Sequence, residues 1–272
     1  MTATLRAAAA QAESVPGDVA RNVATAVDLA DAAAERRARV VVLPELFLTG
    51  YAPESWSLEQ ALTVEDPRLD PLRAVAAERR VVVVAGAAVR RSAEAVTLSL
   101  VVVDDDGSVS APYDKQHLFE AERGFFSPGD HGASLVVDDW ELGLGICYDG
   151  CFPEHAGAAA ADGAQGYLCP SAYFAGAEHR RDLYYAARAL DNGIYVVLSG
   201  LTGRCGEHVF SGGSAVYDPE GRVLDRVADT SRGIAVADLE ATEVARVQQM
   251  NPLARDRLTG LGTRTRERMG AR

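Results

Sequence analysis

Glu45, Lys115 and Cys147 are a carboxylate, an amine and a thiol, each set just after a run of strand-forming residues. Glu45 follows Val40-Val41-Val42-Leu43-Pro44 directly. Lys115 stands in Tyr113-Asp114-Lys115-Gln116-His117, after a strand expected near Ser108 to Ala111. Cys147 closes Gly143-Leu144-Gly145-Ile146-Cys147 and precedes Tyr148-Asp149-Gly150. Singly, each has an ordinary reading: a loop acid, a solvated lysine, a small core cysteine. Together they are the base, cation and nucleophile that an acyl transfer needs. A thiol with a pKa of about 8.5 needs a base or a cation beside it before it attacks. Glu45 could take the thiol proton, hand it to a leaving nitrogen, and later deprotonate the water that hydrolyses a thioester. Lys115 would stabilise the oxyanion, with the backbone N–H of Tyr148 as a second donor. One such donor is worth about 3–4 kcal/mol.

Three residues so far apart meet only if strand ends converge at one sheet edge, where clefts form in α/β sheets. The apolar pattern supplies such strands. Val40 to Leu43, Val81 to Val84 and Val96 to Val103 are continuous apolar runs, the last stopped by Asp104-Asp105-Asp106-Gly107. Helical patterns over Arg21–Arg37 and Leu72–Arg80 precede the first two. The second half repeats the scheme. Leu142–Cys147, Gly166–Cys169 and Ile194–Ser199 read as strands, with helices over Glu154–Ala161 and Glu178–Asp191 between them. Gly213–Tyr217 and Val223–Val227 flank Asp218-Pro219-Glu220-Gly221 as a hairpin with a tight turn, and Ile234–Leu239 is a last strand. Apolar strands covered by helices predict an α/β layered protein whose late hairpins make the sheets mixed. One domain spans residues 1–250.

The composition, 48% hydrophobic and 24% charged over 272 residues, is that of a chain that buries its own core. A net charge of −12 repels phosphate backbones and anionic headgroups, which argues against nucleic-acid and membrane partners. The charge is uneven. Residues 251–272 carry six arginines against Asp256 and Glu267, a basic tail on an acidic body. Thr2 to Ala10 is alanine-rich but short, and Gln11 and Glu13 follow, so it does not read as an export signal. Cysteines 147, 151, 169 and 205 lack framework spacing and read as thiols of a reducing cytoplasm.

Three segments resemble the motifs of the nitrilase superfamily of carbon–nitrogen hydrolases, in the same order and with similar separations. They are Pro44-Glu45-Leu46-Phe47-Leu48-Thr49-Gly50-Tyr51, Tyr113-Asp114-Lys115-Gln116-His117-Leu118-Phe119, and Gly145-Ile146-Cys147-Tyr148-Asp149-Gly150-Cys151-Phe152-Pro153-Glu154. Lesser matches at Phe126–Asp130, Ala187–Asn192 and Gly213–Gly221 extend the likeness over nearly the whole chain. The resemblance implies a four-layer αββα sandwich with two mixed β-sheets and a Glu45-Lys115-Cys147 triad that works without a cofactor or metal. It implies a homodimer or higher homo-oligomer with the C-terminal tail at the interface. It also implies a second glutamate just after the lysine motif. Counting back from Pro128-Gly129, Glu122 fits that place, with Glu120 as the rival.

Many relatives carry an arginine where this chain has Cys151. Its absence favours a neutral or cationic acyl group over an anionic one, unless another arginine substitutes. Within the family, a small aliphatic amide is the expected substrate, with N-carbamoyl compounds and then nitriles as alternatives. Tyr51, Phe125, Tyr173 and Phe174 are expected to line its pocket. Outside the family, Cys147, Cys151 and His155 repeat at i, i+4 and i+8 as zinc ligands on one helical face would, but Pro153 would break that helix. No motif pairs any of the five histidines with Cys147 as a Cys-His hydrolase would need. A non-catalytic binding protein would leave the intact triad without a purpose.

Overall fold

A computed structural model of the chain describes residues 4–258 and 260–270. The first half runs β1 (Thr4–Gln11), α1 (Val19–Glu35), β2 (Val40–Val42), α2 (Asp70–Arg79), β3 (Val82–Arg90), β4 (Val96–Val103) and β5 (Val109–Asp114). The second half begins with β6 (Ser134–Val137), β7 (Trp140–Leu144), α3 (Pro153–Ala161), β8 (Gly166–Ser171), α4 (Glu178–Asn192) and β9 (Tyr195–Gly200). It continues with the short pair β10 (Thr202–Cys205) and β11 (His208–Ser211), then β12 (Ala215–Tyr217), β13 (Val223–Arg226) and β14 (Gly233–Glu240). The helices α5 (Ala241–Met250) and α6 (Leu253–Asp256) follow.

Two six-stranded sheets result, ordered β14-β1-β2-β3-β4-β5 and β13-β12-β9-β8-β7-β6. Each has a parallel centre, β1-β2-β3 or β7-β8-β9, and antiparallel flanks. The parallel steps are crossovers through α1, α2, α3 and α4, as parallel strands require. The sheets pack face to face with helices outside, an α/β sandwich of two mixed sheets, as expected. The hydroxyls of Ser199 on β9 and Ser214 both donate to the Ala10 carbonyl of β1, at 2.6 and 2.9 Å, and stitch the two sheets together.

One strand was not foreseen, one ends early, and the late hairpin turns as expected. The alanine-rich start is β1, a central strand. Its Ala7 to Ala10 are wholly buried, so tertiary packing overrides alanine's preference for helix. The small side chains suit a strand that packs against β9. The strand expected to run to Cys147 stops at Leu144. Gly145 lies against Tyr167, where a Cβ would sit 1.8 Å from the phenol oxygen, and the chain then winds into one 3₁₀ turn over Cys147–Cys151. The late hairpin pairs β12 with β13 through the expected tight turn, closed by the Gly221 amide donating to Asp218 O at 2.9 Å. There Asp218 Oδ1 accepts from the amides of Glu220 and Arg222, and Gly221 takes φ +78°.

The tail begins by docking on its own body. Arg257 lies against Gly157 of α3 and donates to Asn192 Oδ1 at the end of α4, at 3.1 Å. The described residues beyond it, 258 and 260–270, are exposed. Among the described residues, no helix is long and apolar enough to cross a membrane.

Candidate active site

Glu45 lies in the tight turn that follows β2. Gly86 of β3 passes directly beneath it, where a Cβ would stand 2.6 Å from Glu45 Cα, so only glycine permits the approach. The Gly86 amide donates to Pro44 O at 3.1 Å and fixes the turn. Lys115 follows β5 and is clamped by its own backbone: its N–H donates to Leu98 O, and its carbonyl accepts from the Gly129 amide. Glu122 belongs to a 3₁₀ turn over Glu120–Gly124. Cys147 opens the other 3₁₀ turn with φ +44°, a left-handed conformation rare for a residue with a side chain.

These four residues converge. Lys115 Nζ donates to Glu45 Oε1 at 2.6 Å and to both oxygens of Glu122 at 2.8 Å. All three side chains are buried. Glu122 also accepts from the Tyr51 hydroxyl at 2.6 Å and the Phe119 amide at 2.8 Å. Glu120, the rival for that place, is exposed. Glu45 Oε2 is buried with no hydrogen-bond partner at normal distance, and the Cys147 thiol stands beside this carboxyl.

Burial raises the Glu45 carboxyl to about 7; Glu122's charge adds to this, while Lys115 and the Cys147 thiol oppose it. Burial pushes the Lys115 ammonium down, but the carboxylates of Glu45 and Glu122 outweigh it and leave the group above its ordinary value. Burial, then the facing Glu45, push the Cys147 thiol well up, against the pull of Lys115. The resting state is therefore a neutral thiol beside a carboxylate, rather than the preformed thiolate of a low-pKa cysteine.

Asp149 knits the nucleophile turn to the lysine loop. Its Oδ2 accepts from the Ile146 amide and the Tyr113 hydroxyl, and its Oδ1 from the amide and Nδ1–H of His117. Burial raises the Asp149 carboxyl, but the bond from His117, His155 nearby and the Tyr113 hydroxyl prevail and hold it below its ordinary value. Tyr113, whose proton goes to Asp149, receives one from His155 Nε2 at 2.7 Å; His155 Nδ1 in turn accepts from Tyr167 at 2.9 Å. With both ring nitrogens so engaged, His155 has no lone pair for a metal shared with Cys147 and Cys151.

A pocket of about 150 Å³ opens over Cys147, below the roughly 300–1,000 Å³ of sites for drug-sized ligands. Of the residues expected to line it, Tyr51, Tyr173 and Phe174 do, and Tyr148, expected as an oxyanion donor, lines it as well. Phe125 does not. It packs on Trp56 and Phe126, because it follows the 3₁₀ turn that carries Glu122 and leaves helical geometry there, at φ −127°. The pocket also takes in Phe119, Cys151, Ala172, Ala177, Arg180 and Tyr184, which sequence reasoning missed as lining. Arg180 and Tyr184 are four apart on α4 and so share a face, the only signal that could have paired them.

A buried base, an ammonium and a thiol at the floor of a small pocket are the parts of an amide hydrolase, and the comparisons agree. The family model for carbon–nitrogen hydrolase matches residues 6–249. A nitrilase of Pyrococcus abyssi is 32% identical over 87% of this chain and 91% of its own. Omega-amidase NIT2 of Homo sapiens is 30% identical over 92% and 93%. The amidase from Nesterenkonia sp. AN1 superposes with a TM-score of 0.81 at 31% identity, over 93% of each chain. That structure is of a glutamate-to-glutamine mutant, with the acetamide moiety of fluoroacetamide covalently added at its active-site cysteine. The chain belongs to the carbon–nitrogen hydrolase family of the nitrilase superfamily. It is an enzyme of the amidase type.

Proposed function

We propose that the chain hydrolyses small linear aliphatic amides to a carboxylic acid and ammonia through a thioester on Cys147. The observation that carries this reading is the Cys147 thiol beside the Glu45 carboxyl, whose Oε2 is buried and engaged by no other donor. An ionised carboxylate oxygen with no donor is poised to take the thiol proton.

As Sγ attacks the amide carbon, Glu45 Oε2 accepts the thiol proton and the carbonyl oxygen becomes an oxyanion. The oxyanion is met by Lys115 Nζ and the Tyr148 amide. An ammonium has three protons; one serves Glu45 and two serve Glu122, so the oxyanion takes over one of the pair directed at Glu122. Glu45 then passes its proton to the nitrogen, the C–N bond breaks and ammonia leaves. Glu45 next takes a proton from water, whose oxygen attacks the thioester. Sulfur departs, recovers the proton from Glu45, and the acid is released. Glu122 keeps Lys115 in place throughout; with three donors already on it, it is poorly suited to be the base. The residues quoted are enough for each proton transfer in this cycle.

The test is ammonia release from a series of short amides, ureas and nitriles by the wild-type chain and by Cys147→Ala. Turnover of amides by the wild type and none by the variant is expected. Ammonia from ureas or nitriles alone would overturn the substrate assignment.

A further inference from the structure

Two charged side chains line the pocket, and they differ in what they face. Glu122 is buried and spends both oxygens inward on Lys115, Tyr51 and the Phe119 amide. Arg180 is exposed, in the first turn of α4, and has no hydrogen-bond or ion-pair partner among the described residues. Its neighbour Arg181 is the contrast: buried, with its guanidinium committed to Asp182, Ser211 and Gly212. The other lining groups are aromatic rings, alanines and two thiols. Cys151 puts no charge there; its sulfur lies 3.3 Å from the Tyr173 hydroxyl. The pocket thus has a reacting end at Cys147 and one uncommitted cation, with largely apolar walls.

We propose that Arg180 selects amides whose short acyl chain ends in a carboxylate. A guanidinium offers paired N–H groups that match a carboxylate, and apolar walls strengthen such a bond. The small pocket keeps the chain short. The cation that the nucleophile turn lacks at Cys151 is then supplied by α4, which reverses the expectation of a neutral or cationic acyl group. This inference rests on the amidase reading for its reaction, but not for its binding.

The test has two arms. In the first, kcat/KM is measured for succinamate and for butyramide with the wild type, Arg180→Gln and Arg180→Glu. The succinamate-to-butyramide ratio is expected to fall about ten- to hundredfold in Arg180→Gln, mostly through KM, and further in Arg180→Glu. In the second, the affinities of succinate and butyrate are measured by calorimetry. Succinate is expected to bind the wild type more tightly, and to lose that advantage in Arg180→Gln. If the wild type hydrolyses neither amide yet binds succinate through Arg180, the amidase reading falls and the carboxylate site stands. A ratio that stays constant across the variants, or equal binding of the two acids by wild type and Arg180→Gln, overturns the site.

Discussion

Glu45 and Lys115 share a 2.6 Å hydrogen bond from which solvent is wholly excluded, and it occupies only one of the two Glu45 oxygens. The lysine fixes the carboxyl through Oε1 and leaves Oε2 uncommitted, with the Cys147 thiol beside the group. The pair thus separates holding the base from using it.

Glu45→Gln keeps the shape but removes the proton acceptor. Steady-state kcat is expected to fall about 10²- to 10⁴-fold. Because the carboxyl is raised to about 7, wild-type activity should drop as pH falls through that value. Below it the carboxylate is protonated and the rate loses about tenfold per pH unit. A profile flat from pH 5 to 8 would show that Glu45 is not the base.

Cys147→Ala and Cys147→Ser are expected to abolish ammonia release, with circular dichroism and Tm close to wild type. Activity retained in either removes the nucleophile assignment.

Iodoacetamide should label Cys147 first, because it lines the pocket with the Glu45 carboxyl beside it to take its proton, whereas Cys169 and Cys205 are wholly buried. Cys151, half-buried, should follow. Since the Cys147 thiol is itself raised, its labelling should speed up markedly above neutral pH. Mass spectrometry at timed intervals reads the order, and uniform labelling would contradict it.

Asp149→Asn replaces two accepting oxygens with one oxygen and a donor, against four donors in a buried site. A loss of about 2–4 kcal/mol and a Tm drop of about 5–10 °C are expected, with kcat reduced because the nucleophile turn loses its tie to the lysine loop. A thermal melt within 1 °C of wild type would show that the network carries little.

We propose that the basic tail covers a second protomer. Leu183 and Leu190 on α4, and Leu258, Leu261 and Met269 on the tail, are large exposed apolar groups. Truncation after Met250 is expected to shift a dimer toward monomer in size-exclusion chromatography with light scattering. An unchanged mass would remove the tail from the interface.

The parts of the site that the sequence made legible are those whose chemistry is unusual for their place. Glu45 and Cys147 each end an apolar run, Lys115 follows a strand, and the strands behind them bring them together. That a second glutamate follows Lys115 came from the family resemblance, and counting back from Pro128-Gly129 then placed it at Glu122 ahead of Glu120. An α/β layered protein followed from apolar strands alternating with amphipathic helices, and the four-layer αββα order only from the family resemblance. Residues whose direction is set by a single turn were not legible. Glu122 lies within a 3₁₀ turn and Phe125 just beyond its end, and the two face different neighbours. Arg180 and Arg181 are adjacent and chemically identical, and only the placement of α4 decides which meets the pocket. β1 was hidden because alanine has no strand preference of its own.

The left-handed backbone at Cys147 has a consequence for descent. A side chain there costs of order 1 kcal/mol or more, which glycine would relieve. As long as the thiol is needed, selection keeps the costly residue. In a lineage released from that need, glycine at this position would be among the earliest changes to fix, giving a protein that melts later and turns nothing over. Among homologues, the residue at this one position then records whether a copy is still at work.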